Sequence, residues 1–120
     1  MKKGKKITGG IYKKLRKKKL FEIRSQERFV LLGEEKKKDI KIMSGRFKTV
    51  LLRSNKINLI DKKTHKAKMA TIKNVVEVPS NKFLARKNIL MKGALVETTE
   101  GNAKITNTPS QEGQVQGILV

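Results

Sequence analysis

Six of the seven residues from Lys13 to Lys19 are basic: Lys13, Lys14, Arg16, Lys17, Lys18 and Lys19. Upstream, Lys2, Lys3, Lys5 and Lys6 lead into Thr8-Gly9-Gly10-Ile11-Tyr12. These residue types share one chemistry. Ammonium and guanidinium groups neutralise phosphates, glycines let backbone approach them closely, and a tyrosine ring stacks on a base. No acid occurs among the first twenty residues, whereas residues 93–120 carry Lys104 alone against Glu97, Glu100 and Glu112. A basic arm joined to a less charged remainder is the footprint of nucleic-acid binding.

Two further cation groups extend that footprint beyond the arm. Arg46, Lys48 and Arg53 flank or lie within one strand-like stretch, and Arg86, Lys87 and Lys92 surround a segment with helical spacing. Both groups need no function if they serve solubility. As a folded basic face they would continue the arm's phosphate track, together with Arg24 in the segment that joins arm to domain.

Catalysis lacks parts. His65 is the single histidine and lies among Lys62, Lys63, Lys66 and Lys68, and the chain has no cysteine. Neither a metal-ligand set nor a nucleophile with its base can be assembled from these. Ser44-Gly45-Arg46 lacks the glycine-to-lysine spacing of a phosphate loop. The expectation is a protein with no catalytic residue, no metal, no cofactor and no small-molecule substrate.

Net charge is +20 in 120 residues, enough to repel the compact state unless a polyanion neutralises it. The chain has 24 Lys and 6 Arg, which suits generic phosphate binding more than base reading. No apolar run approaches a membrane span, and no apolar stretch or small-residue cleavage site follows the basic N-terminus. Those features point to a soluble intracellular protein with no membrane partner.

The elements that must position these cations are mostly short strands. Residues 1–28 read as an extended basic arm, with a helical turn around Tyr12 to Lys19 and a docking segment from Leu20 to Arg28. The arm is expected to order on RNA. From residue 29 onward, apolar or alternating runs sit between turn signals: Phe29–Leu32, Ile40–Ile42, Phe47–Arg53, Ile57–Ile60, Met69–Val78, Ala94–Thr99, Ala103–Thr108 and Val115–Val120. Glu34 and Glu35 with Lys36 to Lys38 read as a charged loop, Glu100-Gly101-Asn102 as a three-residue hairpin loop, and Pro109 to Gly113 as a connection. Asn81 to Lys92 is the one helical interruption. The fold expected is all-β: a small barrel of short strands over residues 29–120 with one helical turn, preceded by the arm. Aromatics make up 4% of the chain and Trp is absent, so the core must be Ile, Leu and Val.

From Asn81 onward the chain resembles the archaeal and eukaryotic small-subunit ribosomal protein eight, which is unrelated to the bacterial protein of that number. The resemblance is carried by Arg86-Lys87-Asn88-Ile89, Lys92-Gly93-Ala94-Leu95-Val96-Glu97-Thr98, Glu100 to Asn107, Pro109 with Gln111-Glu112-Gly113, and Ile118-Leu119-Val120. Near the start, Thr8-Gly9-Gly10 and Lys17-Lys18-Lys19-Leu20-Phe21-Glu22 also match. Ser110 and Gln116 stand where the family usually has Gly and Asn, a second Gly is expected near Ser44-Gly45-Arg46, and another is absent at Arg24. The long central insertion of eukaryotic members is missing, so the chain looks archaeal. The resemblance implies a cytoplasmic structural protein of the small subunit that binds its rRNA beside neighbouring ribosomal proteins. The alternative is a nonribosomal nucleic-acid-binding module, such as a chromatin or RNA-chaperone protein.

Overall fold

Alternation builds the central strands. In Lys56–Ile60 the side chains of Ile57 and Leu59 are buried while Lys56, Asn58 and Ile60 face out, the period of a half-buried strand. The same rhythm buries Ala94, Val96 and Thr98 and exposes Glu97 and Thr99, as their spacing predicts. A computed structural model of the protein describes residues 4–12, 16–22, 28–62 and 64–120.

Among the described residues, nine strands and two short α-helices follow in order: β1 (Val30–Leu32), β2 (Lys36–Lys41), β3 (Phe47–Ser54), β4 (Lys56–Ile60), β5 (Ala67–Glu77), α1 (Lys82–Arg86), β6 (Ile89–Leu90), β7 (Leu95–Thr98), β8 (Gly101–Ile105), α2 (Pro109–Glu112) and β9 (Gln116–Leu119). Five of them, in the order β4-β5-β7-β8-β9, close into a barrel. The seam is the parallel pairing of β9 with β4, Leu59 opposite Gly117. Closure leaves no barrel edge unpaired. The other four form a sheet in the order β2-β3-β1-β6.

One core serves both layers. Val30 and Leu51 of the open sheet join Ile57, Leu59, Ile72, Val96 and Ile105 of the barrel, and no aromatic residue is among the buried core. The expectation of an Ile, Leu and Val core holds. β5 bends to close the barrel by slipping register twice, passing Lys73 and Val76 against β7. Such bulges add local bend and twist. On β9 the barrel wall leaves no room for a side chain: a Cβ on Gly117 would lie 2.9 Å from Ile57 Cδ1 and 3.0 Å from the Lys104 carbonyl oxygen.

Four local expectations are corrected. Lys36 to Lys38 belong to β2, since long amphipathic lysines tolerate a strand whose exposed positions face water. The β7–β8 turn is Thr99-Glu100, with Thr98 paired to Gly101, so Gly101 and Asn102 are strand residues. Its cause is the buried Thr98 hydroxyl, which donates to the Gly101 carbonyl at 2.7 Å and accepts from the Glu100 N–H at 3.3 Å. The second strand stops at Ile105, because buried Asn107 turns the chain. Its Nδ2 donates to the Gln114 carbonyl at 2.8 Å and to Glu112 at 3.1 Å, and its Oδ1 accepts from the Gln116 N–H at 3.0 Å. Finally, residues 109–112 form helix α2, started by Pro109 and ended by left-handed Gly113.

Candidate nucleic-acid interface

Register decides which cations act together. β2 and β3 are antiparallel, with Lys38 opposite Val50, Asp39 opposite Thr49 and Ile40 opposite Lys48. Between Lys36 and Lys37 the register slips, so Lys36 faces Arg53 while Lys37 faces Leu51, and Leu52 has no partner. Without the slip, strict alternation would send Lys48 and Arg53 to opposite faces. With it, Lys36, Lys38, Lys48 and Arg53 share one face, because directly paired residues point the same way. Leu31 on β1 pairs with Arg53 on that side, while Val30 and Leu32 turn to the core.

The opposite face of the ribbon is spent internally. The Thr49 hydroxyl donates to Asp39 at 2.6 Å, and Lys37 pairs with Glu35 at 2.6 Å, which holds the Glu35 carboxyl below its ordinary range. A Cβ on Gly113 would lie 3.3 Å from the Thr49 carbonyl oxygen, so α2 closes against this side. Thus Lys36, Lys38, Lys48 and Arg53 are exposed on one face, in the middle of which Val50, opposite Lys38, is buried, while Leu51 packs from the other face into the core.

At the ribbon's tip a 3-10 turn over Met43–Gly45 reverses the chain, and the Ile42 N–H donates to the Arg46 carbonyl at 2.8 Å. Gly45 has φ 69°, and Ser44 beside it has φ 63°, a left-handed position that favours glycine. Ser44 thus holds a left-handed conformation without glycine's freedom, in a turn near which the resemblance leads one to expect a second glycine. Arg46 follows the turn, exposed, and Phe47 stands across from Lys41.

The arm has its own local geometry. Lys5 bridges Ile11, the Lys6 N–H donates to the Gly10 carbonyl at 2.8 Å, and the Gly9 N–H donates to the Lys6 carbonyl at 2.9 Å. Gly9 has φ 78°. The extended arm expected from composition is thus folded back over Thr8-Gly9-Gly10, because a left-handed glycine reverses it. Lys6 Nζ lies 5.6 Å from the Tyr12 ring centroid.

Within the expected turn from Tyr12 to Lys19, Arg16 to Lys19 are not helical and residues 13–15 lie outside the described residues; a 3-10 turn follows at Leu20–Glu22. Glu22 organises it by accepting from Arg16 Nη1 at 2.8 Å and from the Lys19 N–H at 3.0 Å. The Arg16 guanidinium and then the Lys19 amide hold the Glu22 carboxyl below its ordinary range. Arg16 is partly engaged within the protein, while Lys17, Lys18 and Lys19 are exposed. Lys2, Lys3, Lys13, Lys14 and Arg24 lie outside the described residues.

The third cation group divides between two clefts. Arg86 stands 5.8 Å from the Phe83 ring and lines a shallow cleft of about 650 Å³ with Lys82, Glu77, Asn74 and Asn88. Lys92 lies past β6, in a cleft of about 370 Å³ with Arg28 and Phe29. Lys87 is the C-cap of α1 and donates its N–H to the Leu84 carbonyl at 3.2 Å. Sequence reasoning passed over Lys36, Lys38, Arg28 and Lys82 as parts of these surfaces; only the strand register and the cleft linings bring them in. His65 sits exposed in the β4–β5 turn at φ 53°, its N–H donated to the Asp61 carbonyl. Among the described residues, no three His, Asp or Glu side chains could together hold a metal ion, and no helix is long and apolar enough to cross a membrane.

Comparison with known proteins agrees on one family. The family described as Ribosomal protein S8e matches residues 1–120. A Nanoarchaeum equitans protein named "Small ribosomal subunit protein eS8" is 40% identical over 114 residues, covering 95% of this chain and 90% of the relative. Proteins of the same name from Methanococcus aeolicus and Saccharolobus solfataricus are 41% and 37% identical, each over 96% of this chain.

Proposed function

Because the chain belongs to the ribosomal protein S8e family, we propose that it is a structural constituent of the small ribosomal subunit in the cytoplasm. In this reading it binds small-subunit rRNA beside neighbouring ribosomal proteins. The labour is divided. Residues 1–28 form the arm that tracks phosphates, and residues 29–120 present a second set of cations on a rigid scaffold. Lys36, Lys38, Lys48 and Arg53 on one ribbon face are the observation that carries this reading, since among the described residues none of them is ion-paired to an acid. Arg46, Arg86, Lys87 and Lys92 extend the contact at the tip and beside α1. The role is architectural: cations neutralise and pin RNA helices, and no chemical step is catalysed.

A salt titration of RNA affinity tests it. Each neutralised phosphate contributes roughly 0.7–0.9 to the log–log slope, so six engaged arm charges make it about 4–5 units steeper. Deleting residues 1–19 flattens the slope by that amount, and replacing Lys36, Lys38, Lys48 and Arg53 by Gln flattens it less. An unchanged slope in both variants refutes the division. Failure of the full chain to co-sediment with small subunits at moderate salt would favour the nonribosomal module.

A further inference from the structure

The core of this protein is aliphatic, and all five aromatic side chains lie at the surface. Phe21 is 80% exposed, Phe47 70%, Phe83 68%, Tyr12 49% and Phe29 42%. Aromatic rings are the largest apolar payload a small core can bury, and exposing them forfeits that gain. Their surroundings are equally consistent. Lys19 Nζ lies 5.9 Å from the Phe21 ring centroid and the Arg86 guanidinium 5.8 Å from that of Phe83. Phe47 faces Lys41 across the ribbon, with Arg46 and Lys48 on either side in sequence.

We propose that Phe21, Phe47 and Phe83 are stacking platforms, each taking one unpaired RNA base while the neighbouring cation takes the adjoining phosphate. The inference rests on the RNA-binding reading and adds to it the kind of RNA recognised: strands with unstacked, accessible bases as well as duplex. A flat apolar ring beside a fixed cation matches a nucleotide, whose base offers a π face and whose phosphate offers an anion about one side chain away. A basic surface needs no exposed rings to bind duplex phosphates alone. Three separate elements carry the rings: the 3-10 turn, the β2–β3 tip and α1. Stacking on each tolerates any base, so the contact chooses RNA shape without reading sequence. An acidic, apolar protein surface is the competing occupant. The cations favour RNA over it, because Lys36, Lys38, Lys41, Arg46 and Lys48 crowd the ribbon, where Asp39 is held by Thr49 and Glu35 by Lys37.

Phe→Leu and Phe→Ala variants of the full chain at 21, 47 and 83 test this, since exposed positions leave folding intact and thermal unfolding checks it. Binding is measured to a single-stranded RNA carrying 2-aminopurine and to a fully paired RNA duplex of equal length. Each Phe→Ala change should weaken single-strand binding roughly 5- to 100-fold and leave duplex binding and the salt slope unchanged. Wild-type protein should quench 2-aminopurine, and the Phe→Leu variants should lose the quench although they remain apolar. Equal losses on duplex and single strand, or Leu variants that bind and quench as wild type does, overturn the proposal. Leu variants with normal RNA binding that fail to enter small subunits would also overturn it, assigning the rings to a protein neighbour. The arm's salt slope is read from the arm deletion, so failure of the stacking idea and failure of the phosphate reading are distinct results.

Discussion

Lys36 and Arg53 stand directly across from each other on β2 and β3, two cations in a cross-strand pair. Like charges so placed destabilise a sheet by a few tenths of a kcal/mol to about 1 kcal/mol, less where solvent screens them. Among the described residues neither has an acid as ion-pair partner, which suits an anion lying over both. Lys36→Glu should therefore raise the stability of the free protein by about 0.5–1 kcal/mol while weakening RNA binding. Urea unfolding in low salt reads the first effect. The salt slope, shallower by about 1, reads the second. A variant that gains stability and keeps full RNA affinity would show that this face is not an RNA surface.

Gly117 is where the barrel wall is thinnest. An alanine methyl there would meet Ile57 Cδ1 at 2.9 Å and the Lys104 carbonyl at 3.0 Å, inside a fully buried layer. Ile57 can turn away, but the carbonyl is fixed by the sheet. Gly117→Ala should cost about 1–3 kcal/mol, seen as a lower urea midpoint. Gly93→Ala has open space around it but φ 83°, so it tests backbone strain alone and should cost about 1 kcal/mol.

Acid should loosen the Asn107 turn. Glu112 accepts from the Thr108 N–H at 3.0 Å and from Asn107 Nδ2 at 3.1 Å. The Thr108 backbone, then Asn107, then the charge of Lys92 hold its carboxyl below the ordinary 4.5. A carboxyl depressed by folding contributes stability that is complete above its unfolded pKa and is lost as pH falls through the folded value. Wild-type stability should thus be level above about pH 5 and decline below 4.5, with Glu22 and Glu35 adding declines of the same sign. In Glu112→Gln the decline between pH 5 and 3 should be shallower. An identical pH profile would mean these hydrogen bonds do not favour the ionised form.

The two arm glycines should behave differently. Gly9 needs its left-handed φ of 78°, with empty space around it, whereas Gly10 has an ordinary φ and only side-chain atoms at 3.8 Å and beyond. If RNA binds the folded-back arm, Gly9→Ala costs about 1–2 kcal/mol, or roughly 5- to 30-fold in affinity, at an unchanged salt slope. Gly10→Ala should be near neutral. Equal effects of the two would mean the reversal is not the bound form.

What was legible in the sequence was whatever a period-two pattern writes down. β4 and β7 alternate cleanly, so their buried faces were readable residue by residue, and the aliphatic core followed from scarce aromatics. The arm's charge was plain as well. What composition could not show was phase. The slip at Leu52, which brings Arg53 round to the Lys48 face, leaves no glycine or proline to mark it. Lys36 to Lys38 hid a strand because three lysines in a row carry no alternation, though the pleat sorts them onto two faces. The β7–β8 turn was placed too late in the chain and one residue too long because Gly101 and Asn102 look like turn formers, while the closing agent, the Thr98 hydroxyl, is set by tertiary burial. The exposed rings were the least readable feature, since a lone Phe in an apolar run reads as core.

The barrel seam has a temporal meaning. Asn58 meets Gln116 across β4 and β9, about 60 residues apart in the chain, and contacts of such separation form late. The arm and the β2–β3 ribbon precede both β5 and the seam, and the ribbon is a local hairpin that needs only its own turn. During synthesis the cations emerge first and the barrel seals last. On the rRNA-binding role proposed above, a growing rRNA strand captures this protein by its cationic half before the other half has closed, so that the order of residues along the chain is also an order of events in assembly.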